Sequence, residues 1–482
     1  MSRLRSYPVT VIKEYTFYLI LLVVSIAIAY ATGMHGIKAG AAILAAVMGT
    51  AALLGLFYNY RSGFYLLVFY IFYIFVVGVY IPPPIPFGMV VDALCILTLL
   101  SMWIHFFNSP SLEREYPFKN LIGYLVIILV SLDAVELLNP LMTDTKFGFI
   151  TFRETVYLIC TYFIAFQVLN TRSAIVFFSF MWIAFSLTVA LYGMKQEYLG
   201  LTEEEWGYLR SDPRRYELYV IWGHVRKWSF LSDPSAYGIT MAFCGLFCFV
   251  IALRKFNWKL RLASLVCAII FLMAMSFSGT RTAVGVVPIG VAFYFLMTLD
   301  NPKMMAAAVA TGLIFLVLFF GPFYGPTLNR IRSTFNKEDP SMSFRDMKRH
   351  ILQDYVWRHP VGAGLGSANA ISGRLTITAD TDSGYLRTAV DKGLVGLLVQ
   401  FALYFAVMFV GINTFYDSDD PLVKSLLAAY LTAFFALTVA NFYQDTVDQK
   451  PLNILIASIF AIILRLQFIT NKKNRTLINP KP

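Results

Sequence analysis

The chain has 482 residues, of which 58% are hydrophobic and only 14% charged, with a formal net charge of +11. Ordinary soluble domains carry roughly 25% charged residues, so this composition excludes a soluble globular class and indicates a polytopic membrane protein. The basic excess is scattered over short turns rather than gathered on one face, which argues against nucleic-acid binding.

A hydrocarbon core of about 30 Å needs roughly 20 apolar residues per helical crossing, and the sequence offers about fourteen such runs. In chain order they lie at 15–32, 37–57, 64–82, 88–107, 120–138, 149–168, 173–194, 234–253, 258–276, 281–299, 304–323, 391–412, 423–441 and 449–468. They do not alternate over about ten residues as barrel strands do. The expected fold is therefore an all-α integral membrane protein, one polytopic domain over 1–482 with about 14 transmembrane helices. The first run is too long for a cleavable signal peptide and lacks a small-x-small exit. Cys95, Cys160, Cys244, Cys248 and Cys267 all fall inside predicted helices, so neither a disulfide framework nor a zinc spacing is expected.

With a cytoplasmic N-terminus, most basic residues in turns fall inside. The short outside connections then hold only Lys38, Lys146, Arg281 and Lys450. This bias predicts cytoplasmic termini. It also puts two long connections, 195–233 and 324–390, on the outer side, and connections of such length are usually functional or disordered. Within the second, Ser343 resembles an N-cap with Asp346 three residues on, and Phe344, Met347, Ile351 and Tyr355 recur at helical spacing. This amphipathic helix, a membrane-surface lid or a substrate-binding element, should end at His359-Pro360. Next comes Gly362-Ala363-Gly364-Leu365-Gly366. It lacks the spacing and preceding strand of a dinucleotide fingerprint, and reads as a tight turn or a close backbone approach.

Asp380, Asp382, Arg387, Asp391 and Lys392 then run directly into the apolar stretch LLVQFALYFAVMFVG. Charges at a lipid boundary cost free energy unless paired, hydrated or at work. Arg226, in HVRKWSFLSDPSAYG, and Arg281, in FSGTRTAVGVV, stand at the outer mouths of apolar helices. Two permanently ionised, forked side chains there suit a phosphate or pyrophosphate; snorkelling to lipid headgroups is the alternative.

Three ordered pieces, RKWSFLSDPS from Arg226, SGTRTA from Ser278, and Ser343 to Gly396 with its HPVGAGLG turn and DSGYL, together resemble the O-antigen ligases and the O-antigen or exopolysaccharide polymerases of bacterial envelopes. The resemblance covers roughly residues 220–410. It implies a metal- and cofactor-independent glycosyltransferase in the bacterial cytoplasmic (inner) membrane. Such an enzyme takes undecaprenyl-pyrophosphate-linked oligosaccharides as donor and acceptor on the outer side, by inverting displacement, with a chain-length regulator or flippase as further partner. By motif, Arg226 and Arg281 would hold the donor pyrophosphate, with Arg345, Tyr385 and Asp380 as further substrate-binding candidates. In the ligases a histidine stands three residues before the Tyr-Leu pair. Here that position is Asp382, which looks more like the polymerase branch and offers a carboxylate base. Alternatively Asp382 caps the following helix, with Arg387 as its partner.

Trp206, Tyr208, Tyr216, Tyr219, Trp222, Trp228, Tyr355 and Trp357 offer aromatic platforms for an oligosaccharide or anchors at the interface. An envelope-glycan ligase is the nearest alternative function. A flippase for lipid-linked oligosaccharides is the rival of another class, although no internal repeat of the kind transporters show is found.

Overall fold

A computed structural model describes residues 30, 49–50, 52–80, 87–108, 117–221, 223–299, 310, 340–376 and 381–478. The expected spans at 15–32, 37–57 and 304–323 fall mostly outside these residues, and Asp380 and Trp222 fall outside them.

The described chain is helical apart from one short hairpin. In order it forms α1 (Tyr60–Tyr80), α2 (Phe87–Asn108), α3 (Leu121–Glu136), α4 (Thr145–Val168), α5 (Arg172–Tyr198), α6 (Glu203–Arg210), α7 (Pro213–Tyr219), β1 (Val220–Ile221) and β2 (His224–Val225). It continues through α8 (Pro234–Leu253), α9 (Trp258–Phe277), α10 (Arg281–Met297), α11 (Pro340–Arg358), α12 (Ala368–Leu375), α13 (Gly384–Asp417), α14 (Pro421–Ala440) and α15 (Leu452–Ile478). Among the described residues, 8 helices are long and apolar enough to cross a membrane: α2, α4, α5, α8, α9, α13, α14 and α15. The chain is a multi-pass membrane protein.

Three helices start at an Asp-Pro pair. Asp212, Asp233 and Asp420 each turn a carboxylate onto the first free amides, and the following proline needs no donor. The SDPS segment is thus a helix start. A turn at Ser278-Gly279-Thr280 separates α9 from α10, with Gly279 at φ 57°.

Residues 1–66 with 96–111 and residues 67–95 with 112–482 form separate compact units. In the first, Ser101 donates to Leu56 O at 2.7 Å and Tyr60 packs against His105. Every candidate site residue lies in the second.

Two expectations are corrected here. The amphipathic helix begins at Pro340, so Ser343 lies inside it and is not its cap. Its buried stripe is also one position off the expected one: Lys348, Leu352 and Val356 are buried, whereas Met347 is 47% exposed. Leu352 and Val356 pack with Ala363, Ala368, Ile371, Ala389 and Val390, so α11 rests on protein along this stripe.

Helix α13 starts at Gly384, ahead of the expected 391, and breaks at Gly393, where φ is 65° and ψ −171°. The glycine turn docks on this break. Ala363 N donates to Val390 O and Leu394 N to Pro360 O, both at 2.8 Å, so main-chain groups freed by the break find partners in the turn. A Cβ on Gly393 would lie 2.3 Å from Pro360 O. Gly393→Ala is therefore expected to cost at least the 1–2 kcal/mol or so of a left-handed L-residue, and more for the overlap. The check is the unfolding temperature of the purified protein, which should fall; an unchanged value would mean that the break and turn are not rigidly joined.

Candidate functional site

Arg226 follows β2. Its backbone N–H donates to Tyr219 O at 2.8 Å, and its side chain reaches back to the α9–α10 turn. Nε donates to Ser278 O at 2.8 Å, Nη2 to Thr280 Oγ1 at 2.9 Å and Nη1 to Leu218 O at 3.2 Å. The residue is 7% exposed. Arg226 thus holds the turn from which Arg281 starts α10. Because Thr280 Oγ1 accepts from Arg226 and donates to Pro234 O, it gives α10 no side-chain cap. The N-terminus of α10 therefore joins the Arg281 side chain to first-turn amides with no capping oxygen, an arrangement that favours anions.

The segment before Arg226 folds by its own local rules. Thr202 and Glu205 form a capping box at the start of α6. Leu209, Tyr219 and Trp228 make a small buried core with Trp206 and Tyr208 against it. Tyr219 and Trp228 are 2% and 1% exposed, so they are packing residues and not sugar platforms. Tyr219 donates to Ser232 O at 2.7 Å, and burial pushes its hydroxyl well above the ordinary tyrosine range. Of the proposed platforms, Tyr216 and Trp357 are openly exposed.

Asp382 is half-buried beneath α11. Lys348 Nζ stands 3.4 Å and Arg345 Nε 3.8 Å from its carboxylate. The cap of α13 is Ser383, whose hydroxyl accepts from Leu386 N at 3.3 Å, so Asp382 does not cap that helix. Nor does it pair with Arg387, which bonds Asp445 instead. The capping alternative is overturned: the serine one residue later does that work and leaves the carboxylate facing two cations. The backbone around Asp382 is held by Asp445 N, which donates to Asp382 O at 2.7 Å, and by Gly384 N, which donates to Asn441 O at 3.0 Å. Tyr385 is tied into the packing, its hydroxyl donating to Thr438 O at 2.6 Å and its ring 4.7 Å from Phe401.

Both arms of the site lie at one end of the bundle. Tyr416, near the end of α13, donates to Met297 O at the end of α10. Phe293 of α10 stacks on Phe435 of α14 with ring centroids 4.3 Å apart. Arg281, at the start of α10, therefore sits at the end where α14 finishes, and there Asn441 meets Gly384 and Asp445 meets Asp382.

The charges that run into the apolar stretch are paired within protein. Lys392 Nζ lies 2.8 Å from an oxygen of Asp133 in α3, which is fully buried. Asp391 accepts from Ala368 N at 2.7 Å and so caps α12 from a neighbouring helix. Lys348, Asp445 and Asp133 were missed in the sequence. Lys348 had a signal, since Arg345, Lys348 and Arg349 recur at i, i+3 and i+4, but the partners of the other two are set by tertiary packing. Among the described residues no cluster of three His, Cys, Asp or Glu side chains is placed to hold a metal.

Set against known protein-family models and curated proteins, the chain matches none.

Proposed function

We propose that this protein is a membrane glycosyltransferase that joins lipid-linked oligosaccharide units into a polysaccharide on the outer side of a bacterial cytoplasmic membrane. One observation carries the reading: an uncapped helix N-terminus bearing Arg281, braced by Arg226, shares one end of an apolar bundle with a carboxylate set against α11. A pyrophosphate leaving group needs the first, and a hydroxyl nucleophile needs the second.

In the proposed step the acceptor hydroxyl oxygen attacks the anomeric carbon of the donor sugar. The bond from that carbon to the pyrophosphate oxygen breaks, its electron pair leaves with the pyrophosphate, and Asp382 takes the hydroxyl proton. Arg281 and Arg226 stabilise the departing charge, and Arg345 and Lys348 orient the base. About fourteen crossings and cytoplasmic termini belong to this proposal. They predict that a cysteine at Ser211 is modified by an impermeant thiol reagent in intact spheroplasts and one at Asn471 is not; the reverse pattern would invert the site.

The functional test is the lipid-linked species that accumulates when the gene is deleted. Single repeat units on undecaprenyl pyrophosphate are expected. Polymerised chains left on that carrier would indicate a ligase instead. The Asp133–Lys392 pair inside the bundle is the one observation that favours a flippase, because intramembrane ion pairs often line transport paths. That reading predicts substrate trapped on the cytoplasmic side.

A further inference from the structure

Between α3, α4, α13 and α15 lies a cavity of about 360 Å³, within the range of small-ligand pockets. None of the residues given a role in the proposed step lines it. Asp133, Glu154, Asp391 and Asp448 line it together with Arg387 and Lys392, so acids outnumber bases on its wall. Both cations are already neutralised, Lys392 by Asp133 at 2.8 Å and Arg387 by Asp445 at 2.5 Å. Their N–H groups remain as donors without excess positive charge, which disfavours a phosphate or pyrophosphate ligand.

Three lining side chains carry an atom with no hydrogen-bond partner, and beyond Asp133 Oδ1, which is ion-paired with Lys392, these are one donor and one acceptor: Arg387 Nε and Gln400 Oε1. Leaving such groups unsatisfied is costly. A hydroxyl can answer either, since one oxygen both donates and accepts. Asn369, Thr151 and Thr155 add further polar positions, and Tyr162, Tyr404 and Phe460 supply apolar wall. Donors, acceptors and ring faces around a volume whose cations are paired and whose remaining carboxylates repel anions match the surface of a pyranose.

We infer that this cavity binds an uncharged, hydroxyl-rich ligand, a neutral glycosyl unit. The choice of a sugar over another polyol rests on the transferase reading, and on that reading the unit belongs to the acceptor oligosaccharide.

The test uses full-length protein in lipid nanodiscs. Lactose, N,N′-diacetylchitobiose and N-acetylglucosamine are the neutral probes, glucuronate and inorganic phosphate the anionic controls, and saturation-transfer NMR reads binding. At least one neutral sugar should bind and the anions should not. Thr151→Trp fills the cavity from α4 without touching an ion pair and should abolish binding. Gln400→Leu removes an acceptor and should weaken it roughly tenfold. Unfolding temperatures without sugar establish that each variant is folded, and either variant alone suffices. No binding of any neutral sugar to the wild type, unchanged binding to folded Thr151→Trp, or tighter binding of glucuronate would overturn the inference. Sugar binding without chain elongation would overturn the polymerase reading and leave the cavity site standing. Elongation with binding indifferent to Thr151→Trp would do the opposite.

Discussion

Replacing Asp382 with asparagine is expected to cut turnover by roughly 10²–10⁴-fold while leaving donor affinity near its wild-type value, as loss of a general base predicts. The substitution keeps the shape of the side chain and removes the proton acceptor. It leaves the start of α13 intact, because Ser383 supplies the cap and the Asp382 backbone carbonyl still accepts from Asp445. One structural consequence must be separated from the chemical one: the carboxylate 3.4 Å from the buried Lys348 is lost. The double variant Asp382→Asn with Lys348→Met removes the cation as well. If the single variant is slow only because α11 has loosened, the double variant should regain activity along with its unfolding temperature. If Asp382 is the base, stability returns and turnover does not. Full activity of Asp382→Asn would remove the base from this position and direct attention to Asp380, two residues earlier.

The second large effect is at Arg281. Losing one donor aimed at developing negative charge commonly costs about 2.7–4 kcal/mol of barrier, or roughly 10²–10³ in rate, and Arg281→Ala should show a loss of that size. Arg281→Lys should recover part of it, keeping the charge but not the planar fork. The matching change at Arg226 should look different. That guanidinium bonds two backbone carbonyls and the Thr280 hydroxyl, so Arg226→Ala should lower the unfolding temperature as well as the rate. Initial rates with a lipid-linked donor, measured beside thermal unfolding, separate the two. Wild-type rates for Arg281→Ala at normal expression would leave snorkelling to headgroups as the better account of that residue.

Hydropathy located the helices because a crossing segment must be apolar along its whole length, and that property is local. Among the described residues each expected span falls on a helix, and even the narrow division between α9 and α10 is present. The starts at Asp212, Asp233 and Asp420 rest on equally local signals, since cap and helix are neighbours in sequence, although they were not picked out there. What could not be read were pairings between distant segments. The glycine turn was legible as a turn, but not that its partner is the break at Gly393. Asp391 and Lys392 were recognisable as charges needing a partner, yet the partners are the end of α12 and an aspartate in α3. Lys348 was missed because hydrophobicity defined the expected stripe, which ran through Met347. The helix instead turned its lysine inward toward Asp382 and left the methionine exposed.

The most direct test of the account is elongation by the purified protein alone in proteoliposomes supplied with undecaprenyl-pyrophosphate-linked repeat units. The account predicts a ladder of lipid-linked chains, with one undecaprenyl pyrophosphate released per linkage formed, no requirement for nucleotide sugar, and loss of the ladder in both Asp382→Asn and Arg281→Ala. Movement of the lipid-linked units across the bilayer with no change in their length would contradict it, and would make the protein a transporter.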